Sequence, residues 1–122
     1  MIRFSDLGIK PSLVESLSNE GITEPFEVQI EAIPSALEGR DICCRAPTGS
    51  GKTLAFGLPL ISMAKPAASK RPTALILTPT RELAEQIRNV LDPLAWSHSK
   101  MKVLSIYGGS PYGRQIRALE KG

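Results

Sequence analysis

A chain of 122 residues accommodates one small domain, and its 42% apolar and 22% charged residues fit a folded globular protein rather than a disordered one. A net charge of +3 is too small to mark a polyanion-binding protein by itself, so such binding has to be argued from where the cations stand. No apolar run reaches the roughly 20 residues of a membrane span, and MIRFSDLGIK carries no signal core, so a cytoplasmic protein without membrane partners is expected.

Pro11 opens a short helix carrying Leu13, Val14 and Leu17, which Gly21 ends. A second helical stretch starts at Pro25, with Val28, Ile30, Ile33 and Leu37 as its apolar residues; Pro34 interrupts it and Gly39 closes it. Asp41 to Ala46 reads as a strand, because Ile42, Cys43 and Cys44 form the continuous apolar run of a strand covered on both faces. Adjacent cysteines neither bridge easily nor match a metal-ligand spacing, so Cys43 and Cys44 are expected as small core residues of a reduced protein. A glycine-rich turn follows, then a helix from about Gly51 to Met63 with Leu54, Phe56, Leu58 and Ile61.

Lys65 to Pro72 is a polar loop that holds a basic cluster, Lys65, Lys70 and Arg71. Thr73 to Thr78 is a second buried strand. Thr78 is expected to cap the next helix, with Pro79 at its first position. Leu83, Ala84, Ile87, Val90, Leu91 and Leu94 give that helix a 3.6-residue stripe, and Pro93 ends or kinks it. His98 falls in a loop. Lys102 to Tyr107 is a third strand, Gly108 and Gly109 turn the chain, and Arg114 to Lys121 is helical. This order predicts an α/β fold with a parallel sheet, flanking helices and right-handed crossovers. Ligands of such sheets lie at the carboxyl ends of the strands, where the glycine-rich loop, Thr78 to Arg81 and Gly108-Gly109 are placed.

In APTGSGKT, Ala46 to Thr53, Gly49 and Gly51 let backbone N–H groups turn inward as a nest for phosphate oxygens. The following helix directs its positive end at the same place. Lys52 is positioned to reach the outer phosphates, and Thr53 to offer its hydroxyl to Mg2+. In PTRELAEQ, Pro79 to Gln86, Arg81 stands in the first helical turn, where the dipole disfavours a cation unless it faces an external anion.

Together, APTGSGKT and PTRELAEQ resemble the DEAD-box RNA helicases, whose phosphate loop usually starts with alanine. GITEPFEVQ, Gly21 to Gln29, resembles the adenine-recognising Q motif of that family, and Phe4 lies 17 residues before Gly21, at the spacing of its isolated aromatic. Tyr107-Gly108-Gly109 resembles its Gly-Gly element. The four motifs cover the chain from Phe4 to about Gly122.

The resemblance implies a partial RecA-like P-loop domain, with residues 1–40 as a Q-motif helical region and 41–122 as an ATP-binding core truncated before the Asp-Glu-Ala-Asp motif. It implies ATP and Mg2+ as cofactors. Phe4 then stacks on adenine and Gln29 holds the adenine edge. Ala46, Thr48, Gly49, Ser50, Gly51, Lys52 and Thr53 form the phosphate site, with Lys52 and Thr53 catalytic and Thr53 on Mg2+. Pro79, Thr80, Arg81, Gly108 and Gly109 touch the RNA backbone with little sequence specificity. The chain departs from the family at Ile22, often an aromatic, and at Phe26, often Thr or Ser.

No two acidic residues are adjacent, and no expected strand ends in Asp or Glu. The metal-binding acid, the water-orienting group and the arginine finger of the resembled family are expected beyond Gly122. Two other readings stand beside an ATP-dependent RNA helicase: a nucleotide- and RNA-binding module without activity of its own, and another P-loop NTPase such as a DNA helicase or transport ATPase. Preference for ATP over GTP separates the last from the first.

Overall fold

The computed structural model describes residues 1–122 and contains a short 3-10 turn, Phe4–Leu7, and five helices. These are α1 Pro11–Asn19, α2 Glu27–Leu37, α3 Lys52–Met63, α4 Arg81–Ser99 and α5 Tyr112–Lys121. They fall into two compact units, Met1–Met63 and Ala64–Gly122. Helices α2 and α3 pack on each other, so the glycine-rich loop before α3 shares a unit with the N-terminal helices.

The first unit is built on the apolar residues that periodicity picks out. Leu13 and Leu17 of α1, Ile33 of α2 and Leu58 of α3 are fully buried, with Phe4, Leu7, Ile9, Leu54 and Ile61 around them. Pro11 starts α1 at its first turn, as expected. Helix α2 begins at Glu27, with Phe26 as its cap, and runs through Pro34 to Leu37 instead of breaking there. A helix-interior proline costs about 3 kcal/mol. Burial of Ile33 beside it returns about 1.5–3 kcal/mol, and Ala32 adds to that, so packing offsets the lost bond.

In the second unit α4 is the organising element, with Ile87, Leu91, Leu94 and Ala95 buried along one stripe. It too passes through its proline, Pro93, because Leu94 and Ala95 just beyond are 3% and 1% exposed. His98 therefore stands in the last turn of α4, not in a loop. Thr80, not Thr78, is the cap: its hydroxyl accepts the Leu83 N–H at 3.2 Å, while the Thr78 hydroxyl donates to the Thr80 carbonyl at 3.0 Å. At the far end, Lys100 and Lys102 place their ammonium groups 5.0 and 5.9 Å from the Trp96 ring centre.

The three segments expected as strands, 41–46, 73–78 and 102–107, form no ladder, and the one β-bridge is Ala68 to Arg71. Residues 41–46 have no second strand segment in their unit, and 73–78 shares no backbone hydrogen bond with 102–107. Segment 102–107 is instead held by α4. The Val103 N–H donates to Asp92 Oδ1 at 2.8 Å, and the Ser105 hydroxyl donates to Glu85. Half-burial alternates along it, with Val103, Ser105 and Tyr107 covered and Leu104 and Ile106 exposed, which is the period of a pleated strand. Without sheet neighbours the apolar segments stay open. Leu75 and Leu77 are 81% and 85% exposed, and Cys43 and Cys44 are exposed free thiols rather than core residues.

Candidate functional site

The phosphate loop belongs to the first unit. Gly49 and Gly51 have φ of +83° and +85°, a backbone that side chains with a Cβ rarely adopt. Ser50 closes the turn, its hydroxyl donating to the Pro47 carbonyl at 2.5 Å. Helix α3 starts at Lys52, so its unpaired N–H groups open onto this turn. Ala46 and Ser50 are half-buried, whereas Thr48 and Gly49 are exposed. Lys52 is exposed and enters none of the ion pairs, which are Arg40–Glu38, Arg81–Glu82 and Arg88–Glu85. Thr53 is half-buried in the first turn of α3. A free cation, a glycine nest and a helix start thus converge on one place, an arrangement that suits phosphate.

Gln29 is 2% exposed and ties this loop to α2. Its Nε2 donates to the Gly51 carbonyl at 3.0 Å, and its Oε1 accepts the Phe26 N–H at 2.8 Å. One N–H and one lone pair of the amide remain for a further partner. A Cβ on Gly51 would stand 2.4 Å from Gln29 Nε2 and 2.7 Å from Phe26 Cδ2, so the Phe26 ring lies directly over the loop. Phe4 is 1% exposed, buried in the core of this unit. It borders a depression of about 360 Å3 that Arg3, Val14 and Ile22 also line.

In the second unit the residues assigned to nucleic acid come together in part. Arg81 Nη1 donates to the Gly108 carbonyl at 3.4 Å. Gly109, at φ +87°, has that nitrogen 2.8 Å from where its Cβ would be, so the glycine leaves room for the guanidinium. Pro79 and Thr80 precede α4 on the exposed surface, with the Thr80 hydroxyl used as cap. Arg81 is only marginally paired, 4.0 Å from Glu82, and its side chain is 59% exposed.

Four helical side chains that support this region, Glu85, Arg88, Asp92 and Gln115, were not picked out from the sequence. Arg88 holds Glu85 at 2.9 Å. The hydrogen bonds from Arg88 and then Ser105 lower the Glu85 carboxyl to a pKa of about 2. Asp92 stands two turns along the same face of α4, and that spacing of two acids was the available signal. Gln115 is 7% exposed and donates to the Tyr107 carbonyl at 3.2 Å, fixing α5 next to the glycine turn; a lone glutamine on a polar helix gives no signal.

Comparison with known proteins covers residues of both units. A family model described as DEAD/DEAH box helicase matches residues 26–122. The ATP-dependent RNA helicase DeaD of Escherichia coli (strain K12) is 43% identical over 119 residues, covering 98% of this chain and 19% of that protein. The mitochondrial DEAD-box ATP-dependent RNA helicase 9 of Arabidopsis thaliana is 42% identical over 126 residues, covering 99% of this chain and 20% of that protein. Among solved structures, a DEAD box protein from Methanococcus jannaschii superposes with a TM-score of 0.85 at 33% identity, over 99% of this chain and 33% of that one. The RNA helicase Prp28 from Chaetomium thermophilum, bound to ADP, gives 0.85 at 38% identity, over 100% of this chain and 30% of that one. The chain thus spans about a fifth of the length of the curated relatives it matches, and its backbone follows their RecA-like path although its extended segments are unpaired.

Proposed function

The chain belongs to the DEAD/DEAH box helicase family, and on that premise we propose that it is the nucleotide- and RNA-binding part of an ATP-dependent RNA helicase, in which ATP hydrolysis drives local separation of RNA duplexes. The observation that carries the reading is the phosphate loop, with Gly49 and Gly51 in the left-handed region and α3 starting at an unpaired Lys52. Two relatives are named ATP-dependent RNA helicases, and a structural relative is bound to ADP.

In this reading the loop N–H groups and the start of α3 hold the phosphates, and Lys52 places its charge on the outer ones. Open space around Gly49, with no atom within 4 Å of a Cβ built there, fits the approach of a phosphate. Mg2+ would supply charge neutralisation on the phosphate oxygens when bound. Thr53 is the residue that would hold it. No group of three or more His, Cys, Asp or Glu gathers in these 122 residues, so the carboxylate of its shell would come from another part of the full-length parent. Gln29 would give adenine the N–H and lone pair it has left, and Phe4 would have to turn a ring face outward to stack on the base. Pro79, Thr80, Arg81, Gly108 and Gly109 would hold the RNA backbone, which carries no base information. The proposal includes a parallel sheet over 41–46, 73–78 and 102–107 in the full-length parent, and a cytoplasmic location.

The test is RNA-stimulated phosphate release by the full-length parent. Lys52→Ala should reduce turnover by at least a hundredfold, the order of loss for a preorganised electrostatic contact. Turnover above a tenth of the unmutated value would remove Lys52 from this role.

A further inference from the structure

Helix α5 carries three cations, Arg114, Arg117 and Lys121, whose spacing sets them on one face. Its other side points inward through Gln115, with Ala118 and Leu119 half-buried. None of the three cations takes part in an ion pair. Glu120, three residues after Arg117, is close enough in sequence to pair with it and does not. Arg117 folds back over the first turn instead, with Nη1 3.3 Å from where a Cβ on Gly113 would lie. Like charges at these spacings repel, and a cation over the first turn faces the positive end of the helix dipole. Lys121, in the last turn, is favoured by the dipole, but Arg114 and Arg117 cost the helix stability and have no internal partner to offset it. An external polyanion would provide one.

The ends of α5 say where such a polyanion would run. Gln115 fixes its first turns to the Tyr107 carbonyl, directly after which Gly108 accepts from Arg81. At its last turn the Lys70 N–H donates to the Leu119 carbonyl at 2.8 Å, which seats the basic loop of Lys65, Lys70 and Arg71 against the C-terminal end. The ten residues of α5 span about 15 Å between these two ends.

We infer that α5 is a phosphate track for single-stranded RNA, continuing the backbone path from Arg81 and Gly108-Gly109 through Arg117 and Arg114 to Lys121 and the Lys70 loop. The inference rests on the RNA-binding reading above and lengthens its footprint by residues outside the four family motifs.

The test uses the full-length parent, a fluorescein-labelled oligouridylate and a non-hydrolysable ATP analogue, with anisotropy followed across a salt series. The triple variant Arg114→Gln, Arg117→Gln, Lys121→Gln should bind on the order of tenfold more weakly at low salt, and its log–log salt slope should flatten by about 2, at about 0.7 per lost single-strand contact. Arg117→Gln alone should flatten the slope by about 0.7, and Arg117→Lys should restore it. An unchanged urea midpoint by far-UV circular dichroism shows that the triple variant is folded; if it is not, the Arg117 pair of variants carries the test. RNA binding that weakens with Arg81→Ala but is untouched by the α5 variants overturns the track and leaves the RNA reading standing. An unmutated parent that does not bind RNA overturns both. Loss of heparin retention with full RNA affinity assigns the stripe to another polyanion and likewise overturns the inference.

Discussion

The side-chain amide of Gln29 donates to the carbonyl of Gly51, 22 positions later, at 3.0 Å. The same amide accepts the Phe26 N–H at 2.8 Å, so one buried side chain couples the start of α2 to the last turn of the phosphate loop. The shape of the loop is thereby set by a residue outside it. If Gln29 also holds adenine, as proposed, nucleotide recognition and loop geometry would draw on the same four hydrogen-bonding positions of one amide.

Gly51→Ala should be more damaging than Gly49→Ala, although both glycines have the same φ to within a few degrees. The left-handed backbone costs each alanine roughly 1–2 kcal/mol. Only the Cβ at 51 also meets Gln29 and Phe26, whereas at 49 nothing lies within 4 Å. Urea unfolding of the full-length protein, followed by far-UV circular dichroism, compares the two. Equal midpoints would mean that the Gln29 and Phe26 side chains yield at no cost.

Gln29→Ala should weaken ATP binding and narrow the preference for ATP over GTP. A site that hydrogen-bonds one base edge rejects the other by leaving polar groups unpaired. Calorimetric titration of both nucleotides into the parent and the variant reads this directly. Equal ATP and GTP affinities in the unmutated parent would remove the adenine role from Gln29 and Phe4 together.

Gly109→Ala should imitate Arg81→Ala in RNA binding. A methyl group at 109 would stand 2.8 Å from Arg81 Nη1 and push the guanidinium away from the glycine turn. Both variants should flatten the salt dependence of RNA binding by about 0.7, the value for one single-strand phosphate contact. An Arg81→Ala slope equal to the unmutated one would confine Arg81 to its Gly108 contact.

Glu85 gives the second unit a pH dependence of known sign. Arg88 and Ser105 lower its carboxyl from 4.5 to about 2 in the folded state. Stability from this network is complete above pH 4.5 and is lost as pH falls toward 2, because the unfolded chain takes up the proton first. Glu85→Gln should remove that part of the acid sensitivity, so that urea midpoints of variant and parent converge as pH drops from 5 to 2. A constant difference across that range would show that Glu85 is not coupled to folding.

Much of the site was readable because its chemistry is local in sequence. The phosphate loop, the start of α3 and the α4 stripe each depend on neighbours a few residues apart, and each stands where spacing put it. Long-range competition decided the rest. Pro34 was expected to interrupt its helix and Pro93 to end or kink its own, yet burial of Ile33 and of Leu94 with Ala95 carries both helices onward. Thr78 was expected as the cap, but its hydroxyl is taken by the Thr80 carbonyl and Thr80 caps α4 instead. Apolar runs at 42–44 and 73–78 promised buried strands, but burial of a strand depends on neighbours that its own residues do not encode. The Gln29 bridge was not foreseen, because a link between backbone groups 22 positions apart leaves no trace in local pattern.

The Trp96 ring, with Lys100 and Lys102 beside it, also settles how the molecule can be watched. It is the chain's one tryptophan, half-exposed, and it belongs to the second unit. Excited at its own wavelength, it reports the end of α4 and the docking of the chain that begins at Lys102. Detachment of that segment takes an ammonium group off the indole and should change the emission before α4 itself melts. Nothing comparable stands in the first unit. A change at Gly51 or Gln29 would pass unseen in intrinsic fluorescence, so a silent emission trace is no evidence of an intact phosphate loop.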